Sequence, residues 1–113
     1  MSEQATVNNR IGAVILAAGY SSRMGAFKPG LHIGDETVIS RLVGSFRSAG
    51  ISDIVVVSGH NRQELLSLIN GLEVTESYNE KYPEGMFTSI QAGVQKTDKA
   101  LRGFFLIPVD CPL

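Results

Sequence analysis

Between Gly19 and Lys28 the chain reads Gly-Tyr-Ser-Ser-Arg-Met-Gly-Ala-Phe-Lys. Glycines let backbone N–H groups come close to phosphate oxygens, and the hydroxyls of Ser21 and Ser22 add donors. Arg23 and Lys28 supply positive charge in two forms, a planar fork and a point charge. A polyphosphate suits that set; from spacing alone, a solvated loop whose glycines only turn the chain is the alternative. Two common phosphate motifs are absent, G-x-x-x-x-G-K-[ST] and G-x-G-x-x-G, so neither a P-loop ATPase nor an ordinary dinucleotide enzyme is supported. The second apolar run also ends in Ser58-Gly59-His60, without the acidic residue that would hold a ribose hydroxyl. Any anion affinity has to be local, because 10 Lys plus Arg against 11 Asp plus Glu leave a net charge of -1. That balance offers no broad field to nucleic acid or to an anionic membrane. The single cysteine forms no internal disulfide, and no Cys/His set has zinc spacing.

The elements that must position this loop follow from hydrophobic periodicity. Ile11 to Ala18 is apolar on both faces, as a central parallel strand covered by helices would be. Val38, Ile39, Leu42, Val43, Phe46 and Ala49 recur at helical spacing up to Gly50. Asp53 to Ser58 reads as a second buried strand. Leu65, Leu66, Leu68 and Ile69 then form a helix closed by Gly71. A weaker third strand is expected over Leu72 to Ser77, a loop over Asn79 to Gly85, a helix over Met86 to Lys96 and a last strand over Gly103 to Val109. The order β-α-β-α-β-α-β predicts an α/β fold: a Rossmann-like three-layer α/β/α arrangement with a mostly parallel sheet and right-handed crossovers. Ligands in such sheets sit beyond the carboxyl ends of the strands, which selects the loops after Ala18, Val57, Ser77 and Val109. Residues 1–10 are expected to be a flexible polar tail and 11–113 one domain. The tail lacks the apolar run of a signal peptide, and no stretch nears the ~20 apolar residues of a membrane span, so a reducing cytoplasm is expected. Because the chain stops three residues past Asp110, where one more loop and crossover would follow, the domain is expected to be truncated after its fourth strand.

The segment Leu16-Ala17-Ala18-Gly19-Tyr20-Ser21-Ser22-Arg23-Met24-Gly25-Ala26-Phe27-Lys28 resembles the L-A-A-G-x-S-x-R-M-G-x-x-K signature of the MobA-like nucleotidyltransferases, especially the molybdenum cofactor cytidylyltransferases. Gly85-Met86-Phe87-Thr88-Ser89-Ile90-Gln91-Ala92-Gly93 is similar to their G-M-x-x-S-x-x-A-G segment, and Asp110-Cys111-Pro112-Leu113 to their D-x-P-L metal loop. These motifs, in order, span nearly the whole chain. The resemblance implies a nucleotide-diphospho-sugar transferase-like fold and Mg2+-dependent transfer of a nucleoside monophosphate to a phosphate-bearing acceptor, with release of pyrophosphate. It implies that Leu16, Ala17, Ala18, Gly19 and Ser21 meet the nucleotide, that Arg23 and Lys28 hold its phosphates, and that Asp110 binds the metal. Ser58 and Gly59 would lie near the nucleotide. Asn79, Thr88 and Ser89 would touch base or ribose, or else serve as turn and helix-cap residues. His60 reads as a solvent-facing loop histidine, Cys111 as a tolerated neighbour of the metal ligand, and Met86 and Ile90 as core contacts.

Nucleotide choice rests on Ala18. Guanylyltransferases of this family typically carry a second glycine there, so the resemblance implies CTP. An added methyl would narrow the space beside the base by a step that usually shifts selectivity by ~1 to 3 kcal/mol. The implied acceptor is molybdopterin, with proteins that mature molybdenum hydroxylases as further partners. Lys28-Pro29-Gly30-Leu31-His32 departs from the run of leucines and proline usual after the lysine, and Pro29 pushes Lys28 toward an extended backbone. Alternatives are a guanylyl- or other nucleotidyltransferase with a different phosphate acceptor, and a non-catalytic nucleotide-binding or redox module on the same fold.

Overall fold

The computed structural model describes residues 10–18 and 32–109. Its elements, in chain order, are β1 (Ile11–Leu16), β2 (His32–Ile33), β3 (Glu36–Thr37), α1 (Val38–Ser48), β4 (Asp53–Ser58), α2 (Arg62–Ile69), β5 (Thr75–Tyr78), a 3-10 turn (Tyr82–Glu84), α3 (Met86–Lys96) and β6 (Gly103–Pro108). The main sheet is four-stranded and parallel throughout, in the order β5-β4-β1-β6. This is the expected α/β architecture. The first two crossovers step outward from β1 through β4 to β5, and the third returns across the sheet to place β6 on the other side of β1. The order therefore reverses at β1, the position at which open α/β sheets form a ligand crevice.

The two faces of the sheet are covered differently. On one, Ala13, Ile15, Ile54 and Val56 pack against Ile39, Leu42 and Val43 of α1 and Leu65 and Ile69 of α2. Large branched side chains fill that layer, and the i, i+3, i+4 spacing of α1 delivers them. Thr37 starts α1 as its N-cap, its hydroxyl accepting from Ser40 N–H at 3.2 Å. On the other face, Val14, Leu16, Ala18, Val55 and Val57 meet Ile90 and Ala92 of α3, with Tyr82 beside them. A Cβ on Gly93 would sit 2.4 Å from Val14 Cγ1 and 2.8 Å from Val57 Cγ2, so α3 lies closer to the sheet than any side chain would permit. Ser77 Oγ donates to the Ala92 carbonyl at 2.8 Å, adding a polar tie to the same contact.

Several features differ from the sequence expectation. The β2–β3 hairpin precedes α1 in a stretch that periodicity left without structure, since two-residue strands are too short to show alternation. The third main strand begins at Thr75 rather than Leu72, because Glu73 takes a left-handed φ of 59° that breaks the extended run. Leu72 and Val74 still pack on the core, and Arg47 reaches over from α1 to donate to the Leu72 carbonyl at 2.9 Å. Arg10, assigned to the flexible tail, is held by Asp53 at 2.9 Å and Asp98 at 2.8 Å. Met86, expected in the core, is 58% exposed: as the first residue of α3 it projects from the carboxyl edge of the sheet, while Ile90, one turn on, packs against the core as expected.

Candidate nucleotide site at the carboxyl edge

The ends of β1, β4, β5 and β6 are stitched together beyond the regular ladder. Ala17 N–H donates to the Val57 carbonyl at 2.9 Å, and Val109 N–H to the Leu16 carbonyl at 2.9 Å. His60 N–H donates to the Ala18 carbonyl at 3.3 Å, and Asn79 N–H to the Ser58 carbonyl at 2.8 Å. Four of the predicted site segments thus meet at one edge: Leu16–Ala18, Ser58–Gly59, Asn79 and the first turn of α3 with Thr88 and Ser89.

Leu16, Ala17 and Ala18 have buried side chains, so what they can offer a ligand is backbone. The Ala18 side chain is buried, part of the apolar cluster that holds Val14, Leu16, Val55 and Val57, rather than open to solvent. Gly59 lies against it: a Cβ there would be 2.7 Å from Ala18 Cβ, 2.9 Å from the Ala18 carbonyl oxygen and 2.9 Å from Tyr82 Cβ. Glycine at this position is a requirement of close approach. Ser58 is wholly buried, and its hydroxyl donates to Glu76.

Asn79 is 4% exposed and its side chain is fully engaged. Its amide donates to Thr88 Oγ1 and Ser89 Oγ, each at 2.9 Å, while its Oδ1 accepts from Lys81 N–H at 3.0 Å. The Thr88 hydroxyl lies 2.7 Å from the Gly85 carbonyl and 3.0 Å from that of Lys81, either of which can take its proton. These three residues therefore bind the loop after β5 to the start of α3, the turn-and-cap role that sequence held open beside a ligand role. His60 is exposed, as expected, and stands edge-on to Tyr82 with ring centroids 5.7 Å apart.

Sequence reasoning missed the charged cluster beside this edge. Arg62 grips Glu76 with both ends of its fork, Nε at 2.7 Å and Nη2 at 3.1 Å, and its guanidinium lies 4.7 Å above the ring of Tyr78. Arg62 holds the Glu76 carboxyl below the usual carboxylate range, helped by Ser58 and opposed by burial. A hollow of about 430 Å3, lined among others by His60, Arg62, Tyr78 and Tyr82, opens next to the pair. No local spacing links Arg62 to Glu76, so only the packing of α2 over β5 could have revealed them. Gly19, Ser21, Arg23, Lys28 and Asp110, predicted to hold phosphates and metal, lie outside the described residues, as does Cys111. Among the described residues there is no group of three or more His, Cys, Asp or Glu able to hold a metal, and no helix is long and apolar enough to cross a membrane.

A parallel sheet whose order reverses at a strand followed by buried Ala17 and Ala18, with glycines, serines, Arg23 and Lys28 next in sequence, defines a nucleotide-binding α/β protein. Residues 13–113 match the MobA-like NTP transferase domain, and the chain belongs to that family. It is 34% identical over 99 residues to the bifunctional IPC transferase and DIPP synthase of Rubrobacter xylanophilus, a match covering 82% of this chain and 23% of that protein. Among solved structures it is similar to the nucleotidyl transferase Mth528 of Methanothermobacter, with TM-score 0.76, 29% identity and coverage of 92% of this chain and 52% of that one. The CTP:phosphocholine cytidylyltransferase LicC of Streptococcus pneumoniae shares the fold, with TM-score 0.74, 22% identity and coverage of 89% and 45%. The chain spans about half the length of these solved structures and a quarter or less of the curated relative.

Proposed function

We propose that this chain is the nucleotide-binding portion of a nucleotidyltransferase that moves CMP from CTP to the terminal phosphate of molybdopterin. The observation that carries this reading is the carboxyl edge, where buried Leu16, Ala17 and Ala18 at and just past the end of β1 offer a ligand only backbone, shortly ahead of Arg23 and Lys28 in sequence. In the reaction an oxygen of the acceptor phosphate forms a bond to the α-phosphorus of CTP. The bond from that phosphorus to the bridging oxygen breaks, and pyrophosphate leaves with the electron pair. The acceptor phosphate is already ionised near neutral pH, so no general base is needed and catalysis reduces to alignment and charge neutralisation. Arg23 and Lys28 hold the triphosphate and neutralise it.

Mg2+ fits the residues available. Val109 closes β6 against Leu16 at the same edge, and Asp110 follows it in sequence. One or two carboxylates, with phosphate oxygens and waters completing the shell, is the usual protein share of a Mg2+ site. When bound, the ion supplies further charge neutralisation to the leaving pyrophosphate.

CTP rather than GTP is supported by Ala18, where guanylyltransferases of the family carry glycine. Because the Ala18 methyl points into the core, its influence on the base would pass through the backbone it sets rather than through direct contact. A second reading, a different phosphate acceptor, is favoured by the Rubrobacter relative, which carries a different pair of activities. Thermal-shift measurement with CTP, GTP, UTP, ATP and NADPH, each with and without Mg2+, tests the proposal, since a ligand that binds the folded state raises its melting temperature. CTP with Mg2+ is expected to give the largest shift, and Asp110→Asn to remove the Mg2+-dependent part of it. A larger shift with NADPH, or none with any nucleotide, would overturn the reading.

A further inference from the structure

The end of β4 is held by a side-chain relay that phosphate binding does not explain. Ser58 is 0% exposed, at a position where Val56, two residues earlier on the same face, is packed by apolar contact alone. Its hydroxyl donates to Glu76, and Arg62 donates twice to the same carboxylate. The Glu76 side chain is only 17% exposed, and a carboxylate so covered is costly unless donors fill its oxygens. Here three donors do. The residue after Ser58 is Gly59, pressed on Ala18 with no room for a methyl, and the next, His60, donates to the Ala18 carbonyl. Displacing Ser58 therefore displaces the backbone against which Ala18 rests.

We propose that Glu76 is a positioning residue for nucleotide binding: by fixing Ser58, and through it Gly59, it sets the backbone of Leu16 to Ala18 at the nucleotide. This rests on the function proposed above. Arg62 orients the carboxylate and keeps it ionised, and Lys96 adds a weaker favourable field. Both Glu76 and Arg62 act through Ser58 and Gly59, without touching the nucleotide.

Titration calorimetry of the whole chain with CTP and Mg2+, paired with melting curves on the same samples, tests it. Glu76→Ala is expected to weaken CTP binding about tenfold, since small displacements of a binding backbone cost at least that much. Ser58→Ala should weaken it to a similar degree, and the double variant should bind no worse than Glu76→Ala alone, as members of one relay do. Glu76→Gln keeps an oxygen that accepts from Ser58 and should recover most of the loss. If Glu76→Ala does not fold, Ser58→Ala decides the matter by the same criterion. A lowered melting temperature with unchanged CTP affinity in the folded variants would mean a purely structural role and overturn this inference alone. Absence of CTP binding by the unmutated chain would overturn the proposed function and this inference together.

Discussion

The two edges of the parallel sheet are both rich in polar residues, yet they are built on opposite physical terms. At the amino edge Arg10 bridges Asp53 and Asp98, with side chains 32%, 36% and 48% exposed. At the carboxyl edge Ser58, Ser77, Asn79 and Ser89 are nearly or wholly buried, each with a hydrogen-bond partner, and no buried side-chain donor or acceptor among the described residues is left unsatisfied. Exposed ion pairs tolerate adjustment, because water replaces either partner at little cost. Buried hydrogen bonds do not, because a lost partner leaves a group without water. The amino edge fastens the sheet, whereas the carboxyl edge holds a shape.

The largest effect of that contrast belongs to Gly59. Gly59→Ala places a methyl under 3 Å from Ala18 and Tyr82, and overpacking of this kind costs about 3 kcal/mol. Thermal unfolding should show a substantial drop, with CTP binding lost in whatever fraction remains folded. An unaltered melting temperature would mean the edge can move and would break the comparison.

Next in size is Asn79→Ala, which strips the partner from the buried Ser89 hydroxyl and from the Lys81 N–H. The expected cost is about 2 kcal/mol, read by urea unfolding. Hydrogen exchange should rise first in the opening turn of α3. Uniform exchange along the helix would argue instead for general loosening.

The smallest effect separates the edges by acid and salt. Both Glu76, held mainly by Arg62, and Asp98, held by the Ala100 N–H and then Arg10, have carboxyls lowered from ordinary values of 4.5 and 3.8. A carboxyl lowered by folding stabilises the folded state above its unfolded value, and that stability is lost as pH falls through the folded one. Both edges should therefore weaken in acid, and melting curves from neutral pH downward should show it. Glu76→Gln should flatten that acid loss at low and high salt alike, because its carboxylate is covered. Asp98→Asn should do so more weakly and only at low salt, where exposed charges are unscreened.

Much of this was legible in the sequence because it depended on local pattern. The unbroken apolar run into Ala18, the spacing of Ile39, Leu42, Val43 and Phe46, and the stop at Gly50 each declare an element without help from the rest of the chain. The helix from Met86 to Lys96 falls where its composition puts it. Contacts between distant segments were not legible. Glu76 looks like any charge on a weak strand until α2 brings Arg62 above it, and Asn79 gives no hint that Thr88 and Ser89 will consume its amide. By resemblance Gly59 reads only as a residue near the nucleotide, whereas its requirement comes from Ala18, far away in sequence and adjacent in space. The exposed Phe104, Phe105 and Leu106 show the same limit, since an apolar strand reads alike whether it lies centrally or, as here, at an edge of the described sheet.

The position of β1 also sets a timetable. It is one of the two inner strands, yet its neighbour β4 is made only after the hairpin and α1, and its other neighbour β6 only after every other element described. At synthesis rates of about 5–20 residues per second, the most apolar segment of the protein waits for seconds with one flank uncovered. Pairing strands so far apart is also slow, because the entropy of closing the intervening loop is lost before any contact compensates. The arrangement that brings the ends of four strands to one edge thus makes the nascent chain depend on β6, and on chaperones able to shield β1 until β6 is made.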